Sequence, residues 1–331
     1  MRHNKKLLVT GGAGFIGSAF IRKALKKDSL YEKIVNVDLL TYAASVGALV
    51  SIEHDSRYTF VQGDICNERL IETLCVEHAI DTIVHFAAES HVDRSISGPK
   101  AFFETNVRGT FALLEVMRKL PYIHFHHVST DEVYGSLGVE GCFDETSSYS
   151  PNSPYAASKA ASDHFVRAYA HTYGLSTTLS HSTNNYGPFQ NREKFLPCMI
   201  FNCLEKKPLP IYGKGINMRD WIHVDDHIDA LELVLQKGKP GSVYGIGSGN
   251  AVRNIDLLSL LIQEIACLLE EDPENFHSLI SFVTDRPGHD LRYAIDASKI
   301  KKEFGWSPKY SLIEGLKNTS LWYFSNVYAK K

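Results

Sequence analysis

No stretch of this 331-residue sequence reaches the roughly 20 consecutive apolar residues a membrane-spanning helix requires. No long Lys/Arg run is present either, and with a net charge of −3 this argues against membrane or nucleic acid as the main partner. Small phosphorylated ligands fit better. Cysteine is sparse and patternless: Cys66, Cys75, Cys142, Cys198, Cys203 and Cys267 are scattered, with no Cys-x-x-Cys pair. Reduced, mostly buried thiols in a cytosol are therefore expected in place of a disulfide framework. The segment Met1 to Lys6 runs straight into apolar Leu7-Leu8-Val9, which leaves no room for a signal-peptide core, so a cytoplasmic location is expected. Internal repeats and low-complexity linkers are missing too. Histidine is plentiful, at 15 residues, and His124, His126 and His127 surround one strand. Alternating strand residues point to opposite faces, so no metal site is assigned.

What is present is enough apolar material for a sizeable core: 44% hydrophobic against 22% charged residues, in one large domain or two modest ones. Leu7–Val9, Ile34–Val37, Tyr58–Val61, Thr82–Phe86 and Phe125–Val128 read as buried strands. Amphipathic helices are expected near Ser18–Lys27, Glu68–His78 and Thr105–Arg118 between them. This alternation predicts an α/β fold with a doubly wound parallel sheet of the Rossmann type. Beyond about Asn185 the pattern becomes irregular around Pro188, Pro197, Pro208 and Pro210, with helices near Asp225–Gln236 and Ile255–Glu270. The expected division is a dinucleotide-binding domain over 1–185, joined by about 220–250, and a smaller mixed α/β lobe over 186–331 that binds substrate.

Gly11-Gly-Ala-Gly14-Phe15-Ile16-Gly17 follows the first strand and opens the first helix, the context a dinucleotide-binding loop requires. Gly11 permits the tight turn, Gly14 lets backbone approach a pyrophosphate, and Gly17 allows helix and strand to pack closely. Asp38 ends the second strand about 20 residues later, where a carboxylate accepts from a ribose and repels a 2′-phosphate. NAD is thus favoured over NADP. Asp64 and Ile65 close the third strand near the adenine position, and Phe86, Ala87, Ala88, Glu89 and Ser90 close the fourth.

Tyr155 and Lys159 stand four apart at the start of a helix, so they share a face. A nearby ammonium stabilises phenolate, and Lys159 is expected to bring the Tyr155 pKa towards neutrality. Asp131 and Glu132, adjacent in Ser129-Thr-Asp-Glu-Val-Tyr-Gly135, add a carboxylate pair that hydride transfer alone does not need. An isolated Asp-Glu is ordinarily a solvated turn. Between a buried strand and a Tyr/Lys pair, it reads as acid/base machinery.

Through Thr10 to Gly17 and Tyr155-x-x-x-Lys159 the chain resembles the extended short-chain dehydrogenase/reductase family of nucleotide-sugar enzymes. Five more segments, His85 to Ser95, Ser129 to Gly135, Asn184-Asn-Tyr-Gly-Pro188, Arg219-Asp-Trp221 and Asp285-Arg-Pro-Gly-His289, are similar to the family's sugar 4,6-dehydratases, over nearly the whole chain. The resemblance implies a homodimer with tightly bound NAD and dTDP-glucose as substrate. Phe102, Phe103, Phe111 and Leu114 are candidates for the dimer face and equally for the core. In the implied chemistry Tyr155 takes the 4-hydroxyl proton, Glu132 is the base at C5, Asp131 is the acid at the C6 hydroxyl, and Thr130 assists at the 4-hydroxyl. Leu39, Leu40, Thr41, Thr105 and Asn185 join the cofactor set. Ser90 and Asn184 touch the sugar, and Lys194, Phe195, Pro210, Ile211, Tyr212, Arg219, Asn254, Asp285, Arg286 and His289 hold the diphosphate and thymidine. Arg219 and Arg286 can fork onto phosphate oxygens and Tyr212 can present a face or edge to a base.

Leu39, His181-Ser-Thr183 and His223 depart from the family's usual residues, which leaves UDP-, CDP- or GDP-sugars open as substrates. A 4-epimerase or decarboxylase on the same fold shares the glycine loop and Tyr155/Lys159 but needs no acid/base pair at C5 and C6. A non-catalytic NAD-binding redox regulator would not need an intact Tyr/Lys pair.

Overall fold

The computed structural model describes residues 5–27 and 29–328. Met1 to Asn4, part of the segment read for a leader, lie outside the described residues. The strands in chain order are β1 (Lys6–Thr10), β2 (Lys33–Asp38), β3 (Tyr58–Gln62), β4 (Thr82–His85), β5 (His124–Thr130), β6 (Thr177–Ser182), β7 (Asn184–Tyr186), β8 (Leu209–Tyr212), β9 (Met218–His223), β10 (Val243–Ile246), β11 (Ala251–Arg253) and β12 (Ile280–Val283). Seven of them form one sheet in the order β10-β6-β5-β4-β1-β2-β3, every pair parallel. Leu7, Leu8 and Val9 on β1 and Ile83 and Val84 on β4 are fully buried, as a sheet covered by helices on both faces demands. Phe20, Ile21 and Leu231 pack on one face, and Ile71, Leu113, Leu114 and Val166 on the other. The chain runs outward from β1 to β3 and then returns to lay β4 beside β1. Strand order reverses there, which opens a crevice at the C-terminal ends of β1 and β4.

The five expected strands agree with β1 to β5 to within two residues at each end, and helices occupy Phe15–Ala24 and Glu68–Glu77. The expected helix near Thr105–Arg118 is present, but its first part is wound differently. Phe103–Gly109 is a π-helical turn and Thr110–Lys119 an α-helix. The wide turn carries Asn106 inward, where its amide donates to the Glu89 carbonyl (3.0 Å) and to Ser158 Oγ (2.8 Å) and accepts from the Glu89 N–H (2.8 Å). Such π-segments often accompany functional sites.

Past Tyr186 the chain leaves the large sheet. β11, β9 and β7 make a small mixed sheet, and β12 pairs with β8. Leu196, Ile200, Leu257, Leu261 and Leu316 form this lobe's own core. Helix Val224–Lys237 and β10 return to the first lobe, the helix packing on the Phe20 face and β10 pairing with β6.

Of the six free cysteines only Cys75 and Cys203 are buried; Cys66 and Cys198 are half-buried, and Cys142 and Cys267 are exposed. The expectation of mostly buried thiols therefore fails, because Cys142 lies in a surface loop and Cys267 is on the solvent side of helix Asn254–Leu269. His124 and His126 meet Ser176, Thr178 and Ser180 at 2.9–3.1 Å and stitch β5 to β6, while His127 faces elsewhere. Among the described residues there is no cluster of three or more His, Cys, Asp or Glu that could hold a metal, and no helix long and apolar enough to cross a membrane.

Candidate active site

The glycine loop joins β1 to helix Phe15–Ala24 at the crevice. Gly11 adopts φ +69°, and a Cβ there would stand 2.5 Å from the Ala87 nitrogen. A Cβ on Gly17 would meet the Gly11 carbonyl at 2.4 Å, so the loop and the helix touch only because both are glycine. Gly14 caps the helix with no side-chain partner, and no acid occupies the first turn, which leaves N–H groups and a positive dipole end for an anion. Asp38 ties this loop to β2: its carboxylate accepts from the N–H groups of Ala13 (2.9 Å) and Leu40 (2.8 Å).

A cavity of about 380 Å³ runs from this loop across the strand ends to Tyr155 and Lys159. Its wall contains Gly11, Gly14, Phe15, Ile16, Gly17, Asp38, Leu39, Thr41, Asp64, Ile65, Phe86, Ala87, Ala88, Glu89, Ser90, Thr105 and Asn185. Leu40 does not reach the wall; it turns away at φ 56° with its N–H held by Asp38. The elongated cavity, the glycine cradle and the carboxylate at the end of β2 together fit a dinucleotide.

β5 ends at Thr130, and the next four residues form a tight 3-10 turn, Asp131–Tyr134, whose start Thr130 caps by accepting from the Glu132 N–H. The turn brings both adjacent acids to the crevice. Asp131 is 1% exposed, and its pKa is pushed well above the carboxylate range, first by burial and then by Glu132 and Asp220. One of its oxygens meets the Thr130 hydroxyl at 3.3 Å and the other has no partner. Glu132 is half-buried; burial raises its pKa, and Arg219, Arg286 and Lys194 oppose the rise. Burial therefore favours the protonated, donating form of Asp131, while cations favour the charged form of Glu132.

Helix Pro154–Tyr173 starts with Ser153 as cap and Pro154 in its first turn, which sets Tyr155 at the crevice and Lys159 one turn deeper. The expected lowering of the Tyr155 pKa by Lys159 is corrected. Burial and the Glu132 charge push the phenol up, and a hydrogen bond with Thr130 opposes them. Lys159 donates instead to the Val128 carbonyl (2.9 Å), and burial lowers its own pKa to about 8.

A second cavity, also about 380 Å³, opens into the far lobe. Ser90, Asn184, Lys194, Phe195, Pro210, Ile211, Tyr212, Arg219, Asn254, Arg286 and His289 line it, and Ser90, Glu132, Asn184, Glu193 and Lys194 line both cavities. Glu132 thus stands where the cavities meet, with Asp131 beside it on the wall of the first. Lys194 donates to the Ser90 carbonyl at 2.7 Å, and Arg286 makes a two-pronged bond with Asp93 at 2.7 and 2.8 Å. Arg219 is buried, donates to the carbonyls of Met218 and Asp290, and stacks on Tyr293 with 4.2 Å to the ring centre. Asp285 lies off the wall and instead bonds His289 Nδ1 at 2.6 Å.

The comparisons with known proteins agree with this geometry. A family model described as GDP-mannose 4,6 dehydratase matches residues 8–319. The dTDP-glucose 4,6-dehydratase of Escherichia coli is 47% identical over 97% of this chain and 94% of that protein, and that of Xanthomonas campestris pv. campestris (strain B100) is 49% identical over 96% and 93%. The chain belongs to the family of dTDP-glucose 4,6-dehydratases. DesIV, the family's enzyme from Streptomyces venezuelae, solved with NAD and TYD bound, superposes with a TM-score of 0.91 at 45% identity, covering 97% of each chain.

Several wall residues were not predicted from sequence. Glu104 and Arg108 reach the first cavity from the π-turn, whose register no simple period reveals. Asp93, Asp290 and Tyr293 line the second, and the Asp93 and Asp290 contacts form across the fold. Of the departures from family usage, His223 caps helix Val224–Lys237 by accepting from the Asp225 N–H (3.3 Å), and Leu39 is an exposed part of the wall. His181 lies behind the site, fully buried.

Proposed function

We propose that the chain converts dTDP-glucose to dTDP-4-keto-6-deoxyglucose, and that residues of both cavities carry the reaction. The observation that carries this reading is the acid pair on the wall of the first cavity, Asp131 in surroundings that favour its protonated form and Glu132, at the junction with the second cavity, facing cations. A 4-epimerase needs no such pair.

NAD, when bound, supplies the hydride acceptor for C4 and the donor for C6, and brings a positive ring charge into the cavity that Tyr155 lines. Gly11, Gly14, Gly17 and Asp38 hold it. Tyr155, aided by Thr130, takes the proton of the sugar 4-hydroxyl as C4 is oxidised. The resulting ketone acidifies C5–H. Glu132 removes that proton, and Asp131 gives its own to the departing C6 hydroxyl, which leaves as water. Glu132 then returns a proton to C5 as C6 is reduced, Tyr155 releases its proton to solvent and Asp131 regains one from it, so the sugar loses one water and enzyme and cofactor end each turnover as they began. Ser90 and Asn184 flank the sugar; Lys194 and Arg286 meet the diphosphate, with Arg219 buried behind them, and Tyr212 with its neighbours meets thymine.

The cofactor-binding part is taken as 1–185 with about 220–250, and the rest of 186–331 as the nucleotide-sugar lobe. A cytoplasmic homodimer is also part of the proposal. Of the four aromatic and aliphatic candidates for its face, Phe102 and Leu114 are buried core, whereas Phe103 and Phe111 are 58% and 38% exposed and Phe165 and Tyr173 extend the same apolar surface. Purified protein given dTDP-glucose should yield the alkali-sensitive chromophore of a 4-keto-6-deoxy sugar. Absence of product with NAD⁺ added would overturn the reading, and a panel of dTDP-, UDP-, CDP- and GDP-glucose tests the base.

A further inference from the structure

Tyr155, Lys159 and Asp163 recur every fourth residue on helix Pro154–Tyr173, so the two reactive groups continue into a third on the same face. Asp163 is 0% exposed and touches neither cavity. Yet an unusual number of donors converge on it. Ser129 Oγ and Tyr149 Oη donate to one oxygen at 3.0 and 3.1 Å, His181 Nε2 lies 3.0 Å from that oxygen, and His127 Nε2 lies 3.2 Å from the other. Tyr134 Oη sits 2.7 Å from His181 Nδ1; a phenol donating there leaves the Nε2–H to point at Asp163. His127 Nε2 is in turn 3.4 Å from Lys159 Nζ, so the imidazole stands between Lys159 and Asp163, which form no direct ion pair and act on each other through space. A carboxylate withdrawn from water this completely is tolerated only where a cation and several donors compensate it.

We propose that Asp163 is a positioning residue, the buried counter-ion that keeps Lys159 an ammonium group behind Tyr155, with Ser129, Tyr149 and His181 holding the carboxylate in its charged form. The proposal rests on the dehydratase reading and deepens it. It also gives a role to His181, the departure from family usage that the reaction itself does not use.

The groups facing Lys159 and Asp163 are His85, His127, His181, Tyr134, Tyr149 and Tyr155, with Arg167 farther along the helix acting on Tyr134 and Tyr149. Burial keeps His85 well below its usual pKa and His127 at about 4, so both are neutral at working pH. Burial would raise Asp163, but the bonds its Oδ2 accepts and the two imidazoles beside it hold it far below the usual range. For Lys159, lowered by burial to about 8, Asp163 is the opposing influence.

Asp163→Asn should therefore move the alkaline limb of the kcat profile to lower pH by about one unit or more, the usual effect of losing an opposite charge at close range. KM for dTDP-glucose should stay the same, and Asp163→Glu should restore the limb. A purely structural role would scale kcat at every pH and leave the limb in place, which overturns the proposal. Carbon NMR of lysine-labelled protein reads the Lys159 titration without turnover, so it separates this inference from the dehydratase reading. A Lys159 titration unmoved by Asp163→Asn also overturns it. In aspartate-labelled wild-type protein Asp163 should be ionised near neutral pH, and a protonated Asp163 overturns the proposal without any variant.

Discussion

Asp131→Asn separates the chemical use of this side chain from its structural one. The substitution keeps shape and removes the transferable proton. General acid catalysis typically contributes about 10²–10⁴-fold, so the dehydration rate should fall by that factor, or about 2.7–5.5 kcal/mol in activation free energy. Stability should move the other way. The Asp131 carboxyl is buried beside Glu132 and Asp220, has a single 3.3 Å contact to Thr130, and has one oxygen without a partner. Asparagine loses no strong bond there and carries no charge to repel.

The sign of the pH dependence follows from the raised pKa. A carboxyl that ionises later in the folded than in the unfolded protein costs stability above the unfolded value of about 3.9, by about 1.4 kcal/mol for each unit of difference. Asp131→Asn should thus raise Tm at neutral pH, and the gain should vanish at a pH below the unfolded value. Thermal unfolding across pH measures this, with product formation and solvent exchange of the C5 hydrogen measured on the same samples. Exchange should survive, because Glu132 is untouched. Activity within threefold of wild type would refute Asp131 as the acid. A Tm that falls equally at all pH would refute its neutral, poorly bonded state.

Glu132→Gln should abolish C5 exchange and dehydration while hydride exchange at C4 persists; full dehydration would reassign the base. Gly11→Ala forces a Cβ at φ +69° to within 2.5 Å of Ala87, so a loss of about 1–3 kcal/mol in stability is expected, together with loss of NAD from the purified protein, read by melting and by released cofactor. Arg286→Ala removes a charge-assisted contact worth about 1.5–3 kcal/mol, so KM for dTDP-glucose should rise about tenfold or more with kcat nearly unchanged, and an unaltered KM would place the diphosphate elsewhere.

What the sequence makes legible is what has a short period. Leu7 to Val9, Ile83 and Val84 announce buried parallel strands, and Gly11, Gly14 and Gly17 announce the loop, because each is a local pattern with a local cause. The π-turn at Phe103–Gly109 has no such period, and Asn106 gives no sign of the Glu89 backbone it grips. Tyr155 and Lys159 are visible as a pair, but their energetic relation is not. The direction of the Tyr155 shift depends first on burial and then on Glu132, Asp131 and Asp163, which other segments and a deeper turn bring near. Asp163 itself continues the spacing of four, yet only the convergence of His127, His181, Ser129 and Tyr149 distinguishes it from an ordinary helix acid.

The hardest question the sequence poses is how two neighbouring acids take opposite roles, since side chains in an extended strand would point to opposite faces. The answer has two parts. The strand stops at Thr130, and the 3-10 turn that follows lets both carboxyls reach one crevice. Asp131 and Glu132 then meet different surroundings, and much of that difference comes from the second lobe. At Asp131 burial, Glu132 and Asp220 on β9 favour the protonated form against Arg219, while at Glu132 three cations, Arg219, Arg286 and Lys194, oppose burial and Asp290. A nucleotide diphosphate drawn to Arg286 and Lys194 would partly neutralise the cations facing Glu132, raising its proton affinity once the substrate is in place. The irregular half of the chain, where periodicity is least readable, thus supplies more cations to Glu132 than to Asp131 and sets them in the nucleotide cavity.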